Sequence, residues 1–431
     1  MPRPWWTWAG ALLGCGLTAW VALGSFRSAR EARNALRRDH HLIWFHSGYG
    51  GGLGPPRGQA ALTGPAKLQA VFDAIREAEL VPLRQLHADV EGAASPAPPV
   101  DLESLRAVHT DAYLLALMTG QPRALALSQK LPTWTPNVAR GWLLNVGGLA
   151  AAARQALAGT PITANLGHGY HHAVPERGMG FCTLQGLAVV SRQLLREGRA
   201  ARILILDLDQ HEGNGTGATL IGVPGVWNLT LYGHRHTGPP AAANHRAIQI
   251  HHEAFPKGPQ RDAHYLAAIA ALVPPLLDEL KPNLVLYQAG VDPHDAAGIS
   301  GTALAQRDAL VFAAARSRGI PVTWVLAGGY APMPTLVSLH TATVEAANAV
   351  LETVRPGMAL RHDPALASGW QVRGRAVCFP DWSRGVTLRL THAPALDAEG
   401  VAAFVERRRQ RMEADQRPTE LLQAAYAQRL R

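Results

Sequence analysis

Apolar runs typical of β-strands alternate with helical stretches through residues 41–355 of this chain. The predicted strands are LIWFHSGY (42–49), ITANL (162–166), RILILDLD (202–209), VWNLTLY (226–232), NLVLYQAG (283–290) and PVTWVLAGG (321–329). The predicted helices cover about 65–80, 143–158, 184–198, 262–280, 303–318 and 333–354. Several runs are apolar at every position, which is typical of strands buried on both faces of a parallel sheet. The alternation therefore predicts an α/β fold with a mainly parallel sheet covered by helices.

The composition excludes several classes of protein. Apolar residues make up 47% of the chain and charged residues 17%, a balance that excludes wholesale disorder. The three cysteines include no Cys-x-x-Cys pair, which excludes a disulfide framework and a thiolate zinc ribbon. An ordinary globular chain of 431 residues remains.

The formal net charge of +9 lies almost entirely near the two ends of the chain. Arg3 contributes +1, residues 27–38 contribute +4 and residues 406–431 contribute +3, so that residues 39–405 carry only +1. A nucleic-acid-binding domain carries its basic residues on one face of the folded body. We therefore expect no direct binding to nucleic acid.

Residues 5–26 form an uncharged apolar run with four tryptophans near its ends. About 20 such residues span a bilayer as a helix, and tryptophans are enriched at both membrane interfaces. Five arginines follow the run, and the positive-inside rule places that side in the cytoplasm. The pattern predicts a single-pass membrane anchor within residues 1–40 and a cytoplasmic body. The alternative is a signal peptide whose cleavage would leave an exported protein.

The rest of the chain is predicted to divide into a main domain at 41–355 and an appendage at 356–431. The first part of the appendage combines Gly and Pro with short β-type runs. Residues 401–417 are polar and helix-prone, and Pro418 separates them from a short second helix. We expect a solvated basic helical tail, with contact to a membrane surface or a partner as the alternative.

The strongest chemical signal follows the predicted strand that ends in Asp207. Asp207, Asp209 and His211 lie two residues apart, so they project to one side of an extended chain. Ionised carboxylates at the end of an apolar strand are costly unless a cation or hydrogen-bond donors neutralise them. Asp209 and His211 are therefore candidate ligands for a divalent metal such as zinc, and solvated strand-end residues are the alternative.

Two further predicted strands end in polar residues. Asp292 follows the strand at 283–290 and would complete a three-ligand metal site with a free position for water. Tyr330 follows the Gly-Gly step after the strand at 321–329, where a phenol could stabilise an oxyanion; a packed tyrosine is the alternative. Ligands of open α/β sheets bind beyond the carboxyl ends of the strands, so we expect both residues at that edge.

Two adjacent histidines, His171 and His172, lie in the glycine-rich segment GHGYHHAVPERGMGF (167–181). In an extended strand their side chains would point to opposite sides, so both reach one cleft only from an irregular loop. A histidine pair in such a loop, beside a candidate metal site, favours general acid–base catalysis.

Together these motifs resemble those of the histone deacetylase superfamily, most closely its class IV branch and bacterial deacetylase-like proteins. The motifs follow the family's order over roughly 42–350: VHTDAYL (108–114), GYHHA to GMGFC (169–182), DLDQHEGNGT (207–216), AGVD (289–292) and AGGY (327–330). The resemblance implies an arginase-like, three-layer αβα fold with a mainly parallel sheet. It also implies a metal-dependent amide hydrolase that removes an acetyl or acyl group from lysine ε-amines.

The resemblance assigns the main chemical roles residue by residue. Asp209, His211 and Asp292 match the ligands of Zn²⁺, and this ligand set also suits Fe²⁺. His172 matches the general base, and His171 matches its electrostatic or acid partner.

Supporting roles follow from the same resemblance. Asp207 matches the carboxylate that orients the first histidine of the pair, and Asn214 matches the residue that orients the second. Many family members carry Asp where this chain has Asn214, and an amide orients an imidazole without stabilising its cation. Tyr330 matches the phenol that stabilises the tetrahedral oxyanion.

Other positions match the substrate channel and a structural ion. Gly180 and Phe181 match the wall of a narrow channel that admits an acyl-lysine. Asp207 and Thr230 match part of a structural monovalent-cation site, such as one for K⁺. His168 stands where the family usually has Gly, which predicts a narrower or more polar mouth of the channel.

Three functions remain open at this point. The first is a deacetylase that acts on acyl-lysine in proteins. The second is the same chemistry on acetylpolyamines or other small acetylated amines. The third is an inactive, membrane-tethered binding scaffold, which the complete set of candidate ligands argues against. A two-metal arginase-type site would need more carboxylates than this motif supplies.

Overall fold

A computed structural model describes residues 41–50, 65–234 and 238–430 of the chain. Residues 5–26, where the sequence predicts a membrane anchor, lie outside the described residues. The described strands are β1 (His41–Trp44), β2 (Leu86–His87), β3 (Ile162–Asn165), β4 (Ile203–Asp207), β5 (Val226–Tyr232), β6 (His245–Ile250), β7 (Leu284–Gln288), β8 (Val322–Val325), β9 (Ala359–Asp363), β10 (Gln371–Arg373), β11 (Ala376–Pro380) and β12 (Leu390–His392). The described helices are α1 (Pro65–Glu77), α2 (Leu102–Arg106), α3 (Asp111–Thr119), α4 (Arg123–Ala126), α5 (Pro136–Leu157), α6 (Gly186–Arg196), α7 (Asn214–Leu220), α8 (Pro259–Leu280), α9 (Pro293–Ala297), α10 (Gly301–Ser317), α11 (Met333–Thr353), α12 (Ala398–Ala414) and α13 (Thr419–Leu430).

Nine of the described strands form one sheet in the order β12-β6-β5-β4-β7-β8-β3-β1-β2. Every neighbouring pair in this sheet is parallel except β12 and β6. β4 lies near the middle, where its last residue, Asp207, pairs in register with Thr230 of β5 and Gln288 of β7. The prediction of an α/β fold with a mainly parallel sheet is confirmed.

Alternate residues of the central strands face two separate hydrophobic cores. Leu204 and Leu206 of β4 pack into one core with residues of α1, α8, α10 and α11. Ile203 and Ile205 pack into the other core with residues of α3, α5, α6 and α13. Because successive side chains of a strand point to opposite faces, the helices must cover the sheet on both sides. The result is the expected three-layer arrangement.

Capping residues set where the long helices begin. Thr135 accepts a hydrogen bond from the Val138 N–H, and Pro136 occupies the first turn of α5. Ser300 caps α10 in the same way through the Ala303 N–H. The sequence prediction starts α5 only at 143 because it relies on the apolar pattern and ignores this Thr-Pro signal.

The C-terminal residues extend the main fold. β12 pairs antiparallel with β6 at the edge of the large sheet, and β9, β10 and β11 form a small sheet of their own. Leu422 and Ala425 of α13 are buried in the second core, and the Tyr426 hydroxyl donates to the Val100 carbonyl at 2.6 Å. The second, short helix of the tail, α13, is thus partly buried, because α3 and α5 pack against it, whereas its Leu421 is 52% exposed.

Among the described residues, α8 is long and apolar enough to cross a membrane, and half of that stretch is buried inside the protein. Leu266, Ile269 and Val273 of this helix are buried in the core beneath the sheet. We therefore interpret α8 as a core helix of the domain.

Candidate active site

The carboxyl ends of four neighbouring strands carry the residues that the sequence singles out. These strands are β4, β7, β8 and β3, in that order across the sheet. The segments that follow them hold Asp209, Asp292, Tyr330 and the histidine pair, respectively. Ligands of open α/β sheets bind beyond this edge. The fold thus brings together residues that are far apart in the sequence.

Asp209, His211 and Asp292 offer ligand atoms that all lie within 4.8 Å of one another. His211 Nδ1 lies 2.8 Å from Asp292 Oδ2 and 3.3 Å from Asp209 Oδ1. Each carboxylate also accepts a backbone N–H, from Gln210 to Asp292 and from Gly328 to Asp209. Within the described ranges, no second group of three such side chains meets this spacing.

Burial makes this cluster costly without a cation. Asp209 and Asp292 are at most 2% exposed. Burial and the charge of Asp209 raise the pKa of Asp292 to about 7. Burial lowers the pKa of His211, but hydrogen bonds to both carboxylates outweigh that effect and raise it to about 10. Two buried carboxylates in contact with one imidazole fit the donor set of a divalent-metal site.

The histidine pair is held from behind by two hydrogen bonds. His171 Nδ1 donates to Asp207 Oδ2 at 2.9 Å, and His172 Nδ1 donates to Asn214 Oδ1 at 2.6 Å. The two rings lie 3.9 Å apart between centroids, in an irregular loop after β3. The oxygen partners assign a proton to Nδ1 of each ring, and His171 Nε2 lies 3.8 Å from Asp209 Oδ1. Because the loop is irregular, the side chains of these adjacent histidines can both face one cleft.

The two histidines have different electrostatic surroundings. Burial lowers the pKa of His171, but the charges of Asp207 and Asp209 outweigh burial and raise it above its ordinary value. Burial raises the pKa of Asp207, and His171 opposes that rise. Asn214 brings no charge to His172. His171 is therefore biased toward its cation, whereas His172 is oriented by a neutral amide.

The predicted channel wall lies directly against the histidine pair. Gly180 and Phe181 both have positive φ, +51° and +64°. A Cβ atom on Gly180 would lie 2.3 Å from His172 Cδ2, so no larger residue fits there without displacing the imidazole. Phe181 is a bulky residue in the left-handed region, which is strained, and its N–H donates to the Gln129 carbonyl. The strained turn at Gly180 and Phe181 places these two residues against the histidine pair.

A cavity of about 30 Å³ opens beside the cluster and is lined in part by His168, Phe181 and Tyr330. Lys67 of α1 also lines it, a residue that the sequence analysis missed. Lys67 is buried, and its Nζ donates to the Ala327 carbonyl at 2.7 Å. Burial lowers the pKa of Lys67 to about 8, against the opposing charges of nearby carboxylates. Lys67 thus adds a buried amine to the lining of the cavity.

A signal for Lys67 exists in the sequence. Leu68, Val71, Phe72 and Ile75 form the apolar stripe of α1, and all four are buried. Lys67 lies four residues before Val71, so a helix places it on the same face. A charged residue on a buried helical stripe needs a polar partner, which the tertiary structure supplies.

Tyr330 lies at the rim of the cluster formed by Asp209, His211 and Asp292. Its ring is 6.1 Å from the His211 ring between centroids, nearly perpendicular to it. Burial, followed by the charges of Asp292 and Asp209, raises the pKa of Tyr330 well above its ordinary value. The phenol therefore keeps its proton and can donate a hydrogen bond toward the cluster.

The predicted monovalent-cation residues are neighbours behind the site. Asp207 and Thr230 pair in register across β4 and β5, and both are fully buried. Thr230 Oγ1 accepts a hydrogen bond from the Gly213 N–H at 3.2 Å. The structure thus places both residues together beneath the turn that follows His211.

Two further buried residues support the site: Arg307, which the sequence analysis missed, and His109, which lies in the VHTDAYL motif but received no role there. Arg307 of α10 is fully buried, and its Nη1 donates to the Gly290 carbonyl at 2.6 Å and to the Leu208 carbonyl at 3.3 Å. His109, just before α3, accepts the Gln185 N–H at 2.9 Å and so links this segment to the start of α6. These contacts link segments that are remote in sequence, so a local sequence pattern does not predict them.

Comparisons with known proteins agree with this geometry. The histone deacetylase domain family matches residues 62–347. An uncharacterized protein of Picosynechococcus sp. is 34% identical over 53% of this chain and 75% of its own length. Histone deacetylase 2 of Arabidopsis thaliana is 30% identical over 52% of this chain and 60% of its own length. The chloroplastic histone deacetylase 10 of Oryza sativa subsp. japonica is 25% identical over 77% of each chain.

The fold has a counterpart among solved structures. The crystal structure of the HDA15 HD domain superposes with a TM-score of 0.56 at 20% identity, covering 72% of this chain and 89% of that one. At this identity the superposition supports the α/β fold alone. The family match covers most of the chain, including every segment that carries the cluster and the histidine pair. The chain therefore belongs to the histone deacetylase family of hydrolases.

Proposed function

We propose that this protein is a metal-dependent deacetylase that hydrolyses the amide bond of acyl-lysine side chains in proteins. The observation that carries the proposal is the convergence of the Asp209, His211 and Asp292 cluster on the oriented histidine pair. Such an arrangement has a place for an electrophile, a base and a water within one cleft.

The cluster fits a divalent ion, with Zn²⁺ as the first candidate and Fe²⁺ as the second. An ion bound by Asp209, His211 and Asp292 would polarise the acyl carbonyl and lower the pKa of a water. The cluster's buried negative charge supports this assignment, since a cation offsets the cost of burying two carboxylates.

The histidine pair divides the proton transfers. Asn214 fixes the proton of His172 at Nδ1, so Nε2 carries the lone pair that accepts a proton from the attacking water. His171, biased toward its cation by Asp207, stabilises developing negative charge and donates a proton to the leaving amine. The C–N bond breaks, the water oxygen ends in the carboxylate product, and the lysine amine leaves protonated.

Tyr330 and the loop at Gly180 and Phe181 complete the proposed site. The Tyr330 phenol stays protonated and donates a hydrogen bond to the oxyanion of the tetrahedral intermediate. Gly180 and Phe181 shape the wall along which the lysine stem would lie. Behind them, Asp207 and Thr230 are our candidates for a structural K⁺ site.

Small acetylated amines such as acetylpolyamines are the second candidate substrates. Asp295 supports them, because it is exposed in α9, three residues after Asp292 of the cluster. A carboxylate at this position could attract the ammonium groups of a polyamine.

The test is a panel of acyl-lysine peptides and acetylpolyamines assayed with the metal-loaded protein. We expect hydrolysis of the peptides by the wild type and its loss in His172→Ala and Tyr330→Phe. Elemental analysis should find a divalent metal in the wild type and little in Asp209→Ala. A metal-loaded wild type that cleaves none of the panel would instead indicate an inactive binding scaffold.

We also propose that residues 5–26 anchor the protein in a membrane with its catalytic domain in the cytoplasm. The uncharged run and the arginine cluster after it support this proposal. Export after cleavage of a signal peptide is the competing outcome.

A further inference from the structure

The short helix α7 holds the orienting partner of His172. Asn214 is its first residue, and the Thr216 N–H donates to the His171 carbonyl at 3.1 Å. A Cβ atom on Gly215 would lie 2.5 Å from the His172 carbonyl carbon, so the helix backbone lies directly against the pair. A helix of seven residues is not stable on its own, and its position depends on what holds its ends.

The far end of α7 is held by Arg408 of the C-terminal helix α12. Arg408 Nη1 donates to the Thr219 carbonyl at 2.6 Å and to the Ile221 carbonyl at 2.9 Å. The last carbonyls of a helix have no partner within the helix, and a cation there also interacts favourably with the helix dipole. Arg408 therefore caps the helix whose other end orients His172.

Arg408 is a buried cation without a carboxylate partner among the described residues. It is 9% exposed, and burial, followed by the charges of Arg192 and Arg411, lowers its pKa to about 10. It remains charged at neutral pH, so the two carbonyls at the end of α7 supply its compensation. An arginine on the surface would not have to lose its hydration, so the burial of Arg408 indicates that its contacts with α7 matter at this position.

Two further contacts join α12 to the same region. A Cβ atom on Gly222, in the turn after α7, would lie 2.4 Å from Val405 Cγ2, so α12 packs closely on that turn. Arg411 Nε lies 2.9 Å from Glu176 Oε1, in the loop that carries the histidine pair. α12 thus contacts both segments that set the position of His172.

We propose that Arg408 is a positioning residue for the reaction. By holding the C-terminal end of α7, it fixes Asn214 Oδ1 against His172 Nδ1 and thereby aims Nε2 at the attacking water. The inference rests on the proposed deacetylase function. It gives the appendage, which lies beyond the matched domain, a role in the chemistry of that domain.

The test compares three variants of the full-length, metal-loaded protein. Arg408→Met keeps the apolar stem but removes the cap, Arg408→Lys keeps a cation, and Arg409→Gln is the matched control. Arg409 is exposed on the same helix and pairs with Glu406 and Glu413 of that helix. We expect Arg408→Met to lower kcat about tenfold with KM within about twofold, since a small misplacement of a catalytic group acts on kcat. Arg408→Lys should recover part of the loss, and the control should match the wild type.

A second readout does not depend on activity. In protein labelled with ¹⁵N-histidine, the Nδ1–H resonance of His172, assigned with His172→Gln, reports its hydrogen bond to Asn214. We expect Arg408→Met to shift this resonance or to speed its exchange with water, and Arg409→Gln to leave it unchanged. If Arg408→Met does not fold, the same comparison between Arg408→Lys and Arg409→Gln decides.

The outcomes separate the two proposals. A variant at Arg408 that melts earlier but keeps wild-type kcat and an unchanged His172 resonance would show that Arg408 is only structural. A wild type that cleaves no acylated amine would overturn the proposed function, while the resonance would still test the positioning by Arg408.

Discussion

His171 and His172 show how much of the site depends on single atoms. The two residues are neighbours in the chain and chemically identical, yet one donates to a carboxylate and the other to an amide. The carboxylate favours the cationic form of His171, whereas the neutral amide orients His172 without stabilising its cation. Their separate roles follow from their partners, Asp207 and Asn214, and not from the histidines themselves.

Replacing the amide partner should change the pH dependence of the reaction. In Asn214→Asp, a carboxylate would stabilise an imidazolium that the amide only orients. We expect the acid limb of the kcat/KM profile to move to higher pH, because a base that holds its proton more tightly is lost at higher pH. A profile that coincides with that of the wild type would contradict the assignment of His172 as the base.

A methyl group at Gly180 should displace His172. The added Cβ would lie 2.3 Å from the imidazole, so we expect Gly180→Ala to lower kcat about 100-fold with its metal content unchanged. The matched control is Gly198→Ala, at φ +65°, where a Cβ meets nothing within 4 Å. Steady-state kinetics and elemental analysis check both. Equal kcat in the two variants would contradict the predicted displacement of His172.

The elements of the fold reach the site mainly through their ends. The strands β4, β7, β8 and β3 stop where the polar residues begin, so a continuous apolar run predicts each strand but overextends it. The predicted strand at 42–49, for example, ends at Trp44, and Ser47–Gly50 forms a 3₁₀ turn. The segments after the strand ends do not follow the periodicity of a strand or a helix. The apolar pattern therefore predicts where these segments lie in the sequence but not their conformation.

Arg307 is expected to stabilise the strand ends from within α10. It pairs with Asp308 at 2.8 Å and donates to carbonyls of the segments after β4 and β7. Removing one partner of a buried pair costs about 3–5 kcal/mol. We therefore expect Arg307→Met to lower the free energy of unfolding by that amount and to weaken metal binding. Urea unfolding and metal titration are the measurements.

The control for Arg307 is Arg246→Met. Arg246 is 44% exposed and pairs with Glu279 on the surface, where such pairs contribute at most about 1 kcal/mol. A loss of stability in Arg307→Met no larger than in this control would argue against the supporting role of Arg307.

Several elements could be predicted from the sequence, and others, mostly short, could not. The long helices and the central strands were found because their apolar periodicity is strong. β6 and α7 were missed: α7 reads NGTGATL, which is rich in poor helix formers. Contacts at both ends, from Asn214 and from Arg408, hold α7 in place, and such contacts lie beyond the reach of local propensity.

Three buried histidines should make the whole molecule sensitive to acid. Burial lowers the pKa values of His109, His245 and His252 to about 4 from the ordinary value of 6.5. The unfolded chain therefore takes up protons first as the pH falls. Each histidine's contribution to the free energy of unfolding is fully present above pH 6.5. It is lost as the pH falls toward 4, by up to about 3 kcal/mol for each residue.

Urea unfolding between pH 4.5 and 7.5 checks this dependence. We expect His245→Gln to reduce the slope of unfolding free energy against pH, and replacement of the exposed His392 by Gln to leave it unchanged. A slope that His245→Gln does not alter would mean that other groups dominate acid unfolding.

The proposed membrane anchor can be tested with reporter proteins fused after residue 40. An alkaline phosphatase fused after residue 40 should be inactive, because the positive-inside rule keeps that side in the cytoplasm. A green fluorescent protein fused at the same point should fluoresce in the membrane fraction. An active phosphatase fusion would contradict the proposed orientation and favour export.

The sequence by itself determined which chemistry is available. Asp209, His211 and Asp292 each follow an apolar strand, and the meeting of parallel strand ends at one edge was enough to predict that they converge. Only the tertiary structure decided what surrounds them: Lys67 in the cavity and Arg408 behind α7. The physical reason is that the side chains of a strand or helix repeat their orientation every few residues, which leaves a periodic pattern of apolar residues in the sequence. A contact between segments hundreds of residues apart leaves no such pattern, and it becomes visible only when the chain is folded.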